Sequence, residues 1–161
     1  MTFPRMVEVR QRLPSPKIED YILAIRDELR RKNLHHKVKP GSRIAITAGS
    51  RGIAHYPDIL ATVVDEVKKA GGEPFIIPAM GSHGGATPEG QLRVLKSLGI
   101  TPETVGAPIH SSMEVDEIGR LENGAHVCVD RIALKSDGIV IVARVKPHTD
   151  FKGRIESGLM K

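Results

Sequence analysis

Three short apolar runs, each followed at once by a polar stretch bearing glycine, constrain this chain more than anything else in it. The runs are Arg43–Thr47 ("RIAIT"), Glu73–Met80 ("EPFIIPAM") and Gly138–Val145 ("GIVIVARV"). Each is too short for a buried helix, and the last is rich in β-branched residues between Asp137-Gly138 and Lys146-Pro147, so all three read as buried strands. Stretches with helical periodicity separate them. Strands that alternate with helices must be joined by crossovers, which makes the strands parallel and lays the helices on the sheet. The expected fold is therefore α/β: a mostly parallel, Rossmann-like sheet with helices on both faces.

Ser15-Pro16 has the form of a helix start, with serine as cap and proline in the first turn. Ile18, Ile22, Ile25 and Leu29 follow at helical spacing, which predicts a helix to about Lys32. A second helix is expected from about Pro57, with Ile59, Val63 and Val67 on one stripe, and Gly71-Gly72 ends it. Thr87-Pro88 opens a third, through about Ser97. The stretch "GITPETVGAPIHSSM" reads as loop or short strand, and the apolar pattern of His126–Leu134 ("HVCVDRIAL") alternates or is continuous, which leaves its type open. No repeat, low-complexity segment or linker divides the 161 residues, so a single domain over 1–161 is expected.

Composition removes several classes of function. A lone cysteine, Cys128, cannot form an internal disulfide framework or a cysteine-rich metal site. No apolar run approaches the ~18 residues of a membrane span, and the charged start lacks a signal-peptide core. The chain therefore reads as cytoplasmic, with no membrane partner. Lysine and arginine outnumber aspartate and glutamate by 24 to 19, a net charge of +5. Nucleic acid is nevertheless disfavoured: the basic residues are dispersed, and the densest group, Arg30–Lys39, lies at a helix end, where cations complement the dipole. Three Phe, two Tyr and no Trp supply no stacking platform for single strands. A small anionic ligand fits the charge equally well.

In open parallel sheets, ligands bind outside the carboxyl ends of the strands. The three loops there are "AGSRG" (Ala48–Gly52), "GSHGG" (Gly81–Gly85) and "KPHTDFKG" (Lys146–Gly153), and they are expected to share one edge of the domain. Arg51 can grip a carboxylate or phosphate through two parallel hydrogen bonds. Histidine as a residue type titrates near neutrality, so the pair His83 and His148 could give and take a proton; Asp150 is close enough in sequence to orient the second ring. Two imidazoles on separate loops could flank one substrate carbon, as inversion at a stereocentre requires. Lys146, Lys152, Arg154 and Lys161 surround His148, and "ESGLMK", with Ser157 and Gly158, suits backbone amides around a phosphate. His35, His36, His55, His110 and His126 lack such settings and read as structural or solvated. No metal-ligand set is evident.

Together "AGSRG", "GSHGGATPEGQ" and "RVKPHTDFKGRIESGLMK" resemble the amino-terminal part of the lactate racemase family, the nickel-dependent 2-hydroxy acid racemases and epimerases. The similarity spans most of residues 43–161. The resemblance implies an isomerase acting on a small anionic substrate, a 2-hydroxy acid or sugar acid. His83 and His148 would be its alternating acid and base, and Arg51 and Lys146 its substrate contacts. It also implies a nickel pincer nucleotide cofactor, tethered at Lys161 and cradled by Ser157 and Gly158, with the nickel ligand further along the family's chain. Members are longer, with a C-terminal domain that closes over the site, so the resemblance implies the N-terminal part of a longer two-domain protein, inactive by itself; a homo-oligomer is left open. The terminal Lys161 is also what a trypsin-like protease would leave. Ala48, where the family carries an acidic residue, and the "GLMK" ending mark a divergent branch. The alternative from the residues alone is a non-catalytic domain that binds an anionic metabolite or nucleotide across the same loops.

Overall fold

The computed structural model describes residues 6–12, 14, 16–146, 152–154 and 156. Its centre is a three-stranded parallel sheet of order β2-β1-β5, built from β1 (Arg43–Ala48), β2 (Glu73–Pro78) and β5 (Gly138–Val140). Ile46 lies beside Ile76 on one flank and Val140 on the other, so each register layer carries apolar side chains to the same face.

Alternation along the strands divides the core in two. Ile44, Ile46, Ala48 and Ile76 face α3 (Tyr56–Lys69), whose Leu60 and Val67 are fully buried. Each such side chain is worth about 1.5–3 kcal/mol relative to exposure. Leu95 of α4 (Pro88–Ser97) and Val105 of the one-turn α5 (Pro102–Val105) complete that layer. On its outer side α3 carries α1 (Tyr21–Arg31) and the single turn α2 (Leu34–Lys37). They are held by Ile25, Leu29 and Leu34 and by an ion pair of Arg26 with Asp65 at 3.3 Å, and His35 Nε2 lies 3.6 Å from the buried Glu66 carboxylate. The opposite sheet face, Ala45, Phe75 and Ile77, is covered by Ala133 of α6 (Arg131–Leu134) with Val129 and Ile132. The architecture is thus α/β, a parallel sheet flanked by helices. Among the described residues, no helix is long and apolar enough to cross a membrane.

Four expectations need correction or completion. The first helix begins at Tyr21, because Asp20 accepts the Leu23 N–H at 2.8 Å and so caps it; Ile18 lies outside, 69% exposed. Ser15 falls outside the described residues. The groove on α3 offers cover only to the later part of the apolar stripe, and an aspartate caps as well as a serine. The third strand pairs over only three residues rather than through Val145. Beyond Val140 the chain bonds to a side chain instead, the Val142 N–H donating to Thr47 Oγ1 at 3.1 Å, and Ile141 and Val145 are exposed. The segment His126–Leu134, whose type the apolar pattern leaves open, divides into strand β4 (His126–Asp130) and then α6, started by Asp130 accepting the Ala133 N–H. Its partner β3 (Val115–Arg120) runs antiparallel to it through a hairpin at Asn123-Gly124, an element that the sequence reading passed over.

Candidate functional site

The first of the three loops is set by a residue inside the core. Tyr56, 2% exposed at the start of α3, directs its hydroxyl to the Gly49 N–H, which donates to it at 2.7 Å. Burial pushes the phenol above its ordinary pKa, so the group stays a neutral acceptor. The Ala48 carbonyl accepts the Ala79 N–H at 2.8 Å, which ties the ends of β1 and β2 together. Ser50, half-buried, and Arg51, exposed, follow this anchored backbone.

The second loop is held from behind. Gln91 of α4, 4% exposed, donates through Nε2 to the Gly81 carbonyl at 2.9 Å and accepts the Ser111 hydroxyl on Oε1 at 3.1 Å. His83 then opens a tight turn, His83–Ala86, in which Gly84 and Gly85 both have positive φ. That turn rests on the first turn of α4. A Cβ on Gly90 would lie 1.7 Å from the Gly84 carbonyl oxygen, so two backbones meet where no side chain fits. His83 itself is exposed, and its Nδ1 lies 2.5 Å from Ser50 Oγ. The first two loops therefore meet, through a serine and a histidine 33 positions apart.

The third segment reaches the same edge. Thr47 holds Val142, and Arg144 donates to the Gly52 carbonyl at 3.5 Å, which brings a second guanidinium to the first loop. Lys146 follows, exposed. His148, like its neighbours Pro147 and Asp150, lies outside the described residues, as do Ser157, Gly158 and Lys161. Of the expected site residues, then, Arg51, His83 and Lys146 can be placed. The Ser50–His83 bond joins the first two loops, and the Arg144–Gly52 bond joins the third segment to the first.

The remaining histidines have local partners or solvent. His55 stacks on Tyr21 with ring centroids 4.5 Å apart, His110 meets the edge of Phe75, His126 bonds Glu117 at 2.6 Å, and His36 is exposed. Among the described residues, no group of three or more His, Cys, Asp and Glu side chains is arranged to hold a metal ion. The sequence reading gave Ser50, Tyr56, Gln91 and Arg144 no role. Ser50, Gln91 and Arg144 stand inside the quoted motifs, but their partners lie 33, 10 and 92 positions away, and no local pattern marks Tyr56.

A parallel α/β domain with tied, polar, glycine-bearing loops at the carboxyl ends of its strands belongs to the class that binds small ligands at that edge. Within the class, residues 5–153 match the lactate racemase N-terminal domain, and the chain belongs to that family. No curated protein and no solved structure matches it.

Proposed function

We propose that the chain is the N-terminal part of a two-domain cytoplasmic racemase or epimerase acting on a 2-hydroxy acid or sugar acid. Family membership supports the reaction class. The single observation that carries the site is the Ser50–His83 hydrogen bond, which seats an exposed imidazole between two strand-end loops. In this reading His83 and His148 take and return the hydroxyl proton of the substrate, one serving each enantiomer. Arg51, exposed on its loop, and Lys146 hold the carboxylate, the guanidinium by two parallel hydrogen bonds.

The carbon-bound proton of a 2-hydroxy acid is too weakly acidic for histidine to remove unaided. Its departure as hydride needs an electron acceptor that side chains lack, which a nickel pincer nucleotide at Lys161, with Ser157 and Gly158 at its phosphate, would supply. The chain's own contribution is to orient the hydroxyl, hold the carboxylate and move one proton at an imidazole nitrogen.

The full-length two-domain protein, produced alongside the enzymes that assemble such a cofactor, should racemise a member of a panel of 2-hydroxy acids and sugar acids in deuterium oxide. The expected product carries no deuterium at the inverted carbon, and a mass adduct maps to Lys161. His83→Ala should lower the rate by about a hundredfold or more. Full racemisation by His83→Ala would remove His83 from the reaction. Anion binding with unmodified Lys161 and no racemisation would instead favour a non-catalytic metabolite- or nucleotide-binding domain.

A further inference from the structure

We propose that Ser50 is the positioning residue for His83: its hydroxyl oxygen accepts a hydrogen bond from Nδ1–H and thereby keeps Nε2 as the nitrogen that works on a ligand. This rests on the reading of His83 as an acid and base. An exposed imidazole turns freely unless something holds it, and either nitrogen can carry its proton. Here Nδ1 has Ser50 Oγ at 2.5 Å, while Nε2 has no hydrogen-bond partner among the described residues.

Both ends of this contact are anchored independently. Ser50 follows Gly49, whose N–H is fixed on the buried Tyr56 hydroxyl, and His83 follows Gly81, whose carbonyl is fixed by the buried Gln91. The hydroxyl and the ring are thus brought together by two frameworks that do not depend on the contact itself. A hydroxyl also suits a group that must work in both directions. It accepts Nδ1–H when the ring is neutral, leaving the Nε2 lone pair as base, and accepts it again when the ring is the imidazolium acid. A carboxylate in that place would favour the charged ring and bias the exchange one way.

The 161-residue chain, labelled with nitrogen-15 at histidine, gives the test. The ring shifts of His83 should report the Nδ1–H tautomer in the neutral ring. Ser50→Ala should move the population to Nε2–H, and Ser50→Thr should restore it. A wild-type ring in the Nε2–H form overturns the proposal, as does a tautomer ratio indifferent to Ser50→Ala with the backbone spectrum unchanged. Should Ser50→Ala disturb the fold, the wild-type and Ser50→Thr spectra still decide. In the cofactor-loaded protein, Ser50→Ala should lower kcat on the order of ten- to a hundredfold with KM little changed, and Ser50→Thr should recover it. If the tautomer responds to Ser50 but His83→Ala racemises at full rate, the positioning stands and the acid/base reading of His83 falls.

Discussion

Gly90 sits inside a helix, where alanine would ordinarily stabilise by about 1 kcal/mol. Here the sign should reverse, because its Cβ would drive into the Gly84 carbonyl. Gly90→Ala is expected to cost about 3 kcal/mol, the upper end of overpacking. It should shift the His83 amide in the same protein, and urea denaturation with an amide spectrum checks both. Gly85→Ala, at φ +72° with open space around it, should cost only about 1–2 kcal/mol. The Tyr56 hydroxyl makes a second residue-scale prediction. Tyr56→Phe removes the acceptor of the Gly49 N–H and should cost about 1 kcal/mol. The Gly49 amide should then exchange faster with solvent, because the first loop has lost its tie to the core. An unchanged exchange rate would mean that the loop is held by other contacts.

At the scale of elements, the strong readings are those with periodicity and punctuation together. The second and third helices begin and end within a residue or two of expectation because Pro57, Gly71, Thr87 and Pro88 act locally. Thr87 caps α4 by accepting the Gly90 N–H at 3.1 Å. The first helix had two acceptable caps five positions apart, and propensity could not choose between them. Asp20→Ala should cost about 1 kcal/mol by thermal unfolding, whereas Pro16→Ala, on an exposed residue outside the helix, should stay within about 0.5 kcal/mol. The last strand shows a different limit. Its β-branched residues show that the segment favours an extended, covered state, but they do not say how far a neighbour accompanies it. The answer is three residues, after which the Thr47 hydroxyl replaces a backbone partner. The β3–β4 hairpin was foreshadowed only by Asn123-Gly124, a turn signal without a clean alternation on its first strand, where a bulge between Glu117 and Gly119 breaks the pattern.

For the whole molecule, acid stability is set by surface carboxylates. Asp65 is held below the usual range by its hydrogen bond and attraction to Lys69, with Arg26 adding to it. Glu28 is lowered by its hydrogen bond to Arg31, and Glu117 by Arg120 and His126. With their pKa values depressed in the folded state, the unfolded chain binds more protons in acid. Their stabilisation is complete above about pH 5 and disappears as the pH falls below about 4. All three are exposed pairs, so the effect is modest and salt should shrink it. Thermal midpoints between pH 7 and 3 should fall more steeply at low salt, and Asp65→Asn should flatten the slope. A salt-independent slope would place the acid-sensitive groups in the interior instead.

The three parallel strands, the helices that separate them and the loops that end those strands were determined by the sequence alone, because strand length, helical period, caps and glycines act over a few residues; the one-turn helices and the β3–β4 hairpin were not. So was the setting of Arg51 and His83, each read from its own loop. What meets what was decided only in three dimensions. Ser50 reaches His83, Tyr56 holds Gly49, Gln91 holds Gly81 and Arg144 reaches Gly52. Two of these pairs, Ser50–His83 and Arg144–Gly52, join positions 33 and 92 apart in the chain, and a contact made by two separately anchored backbones leaves no periodic trace in either.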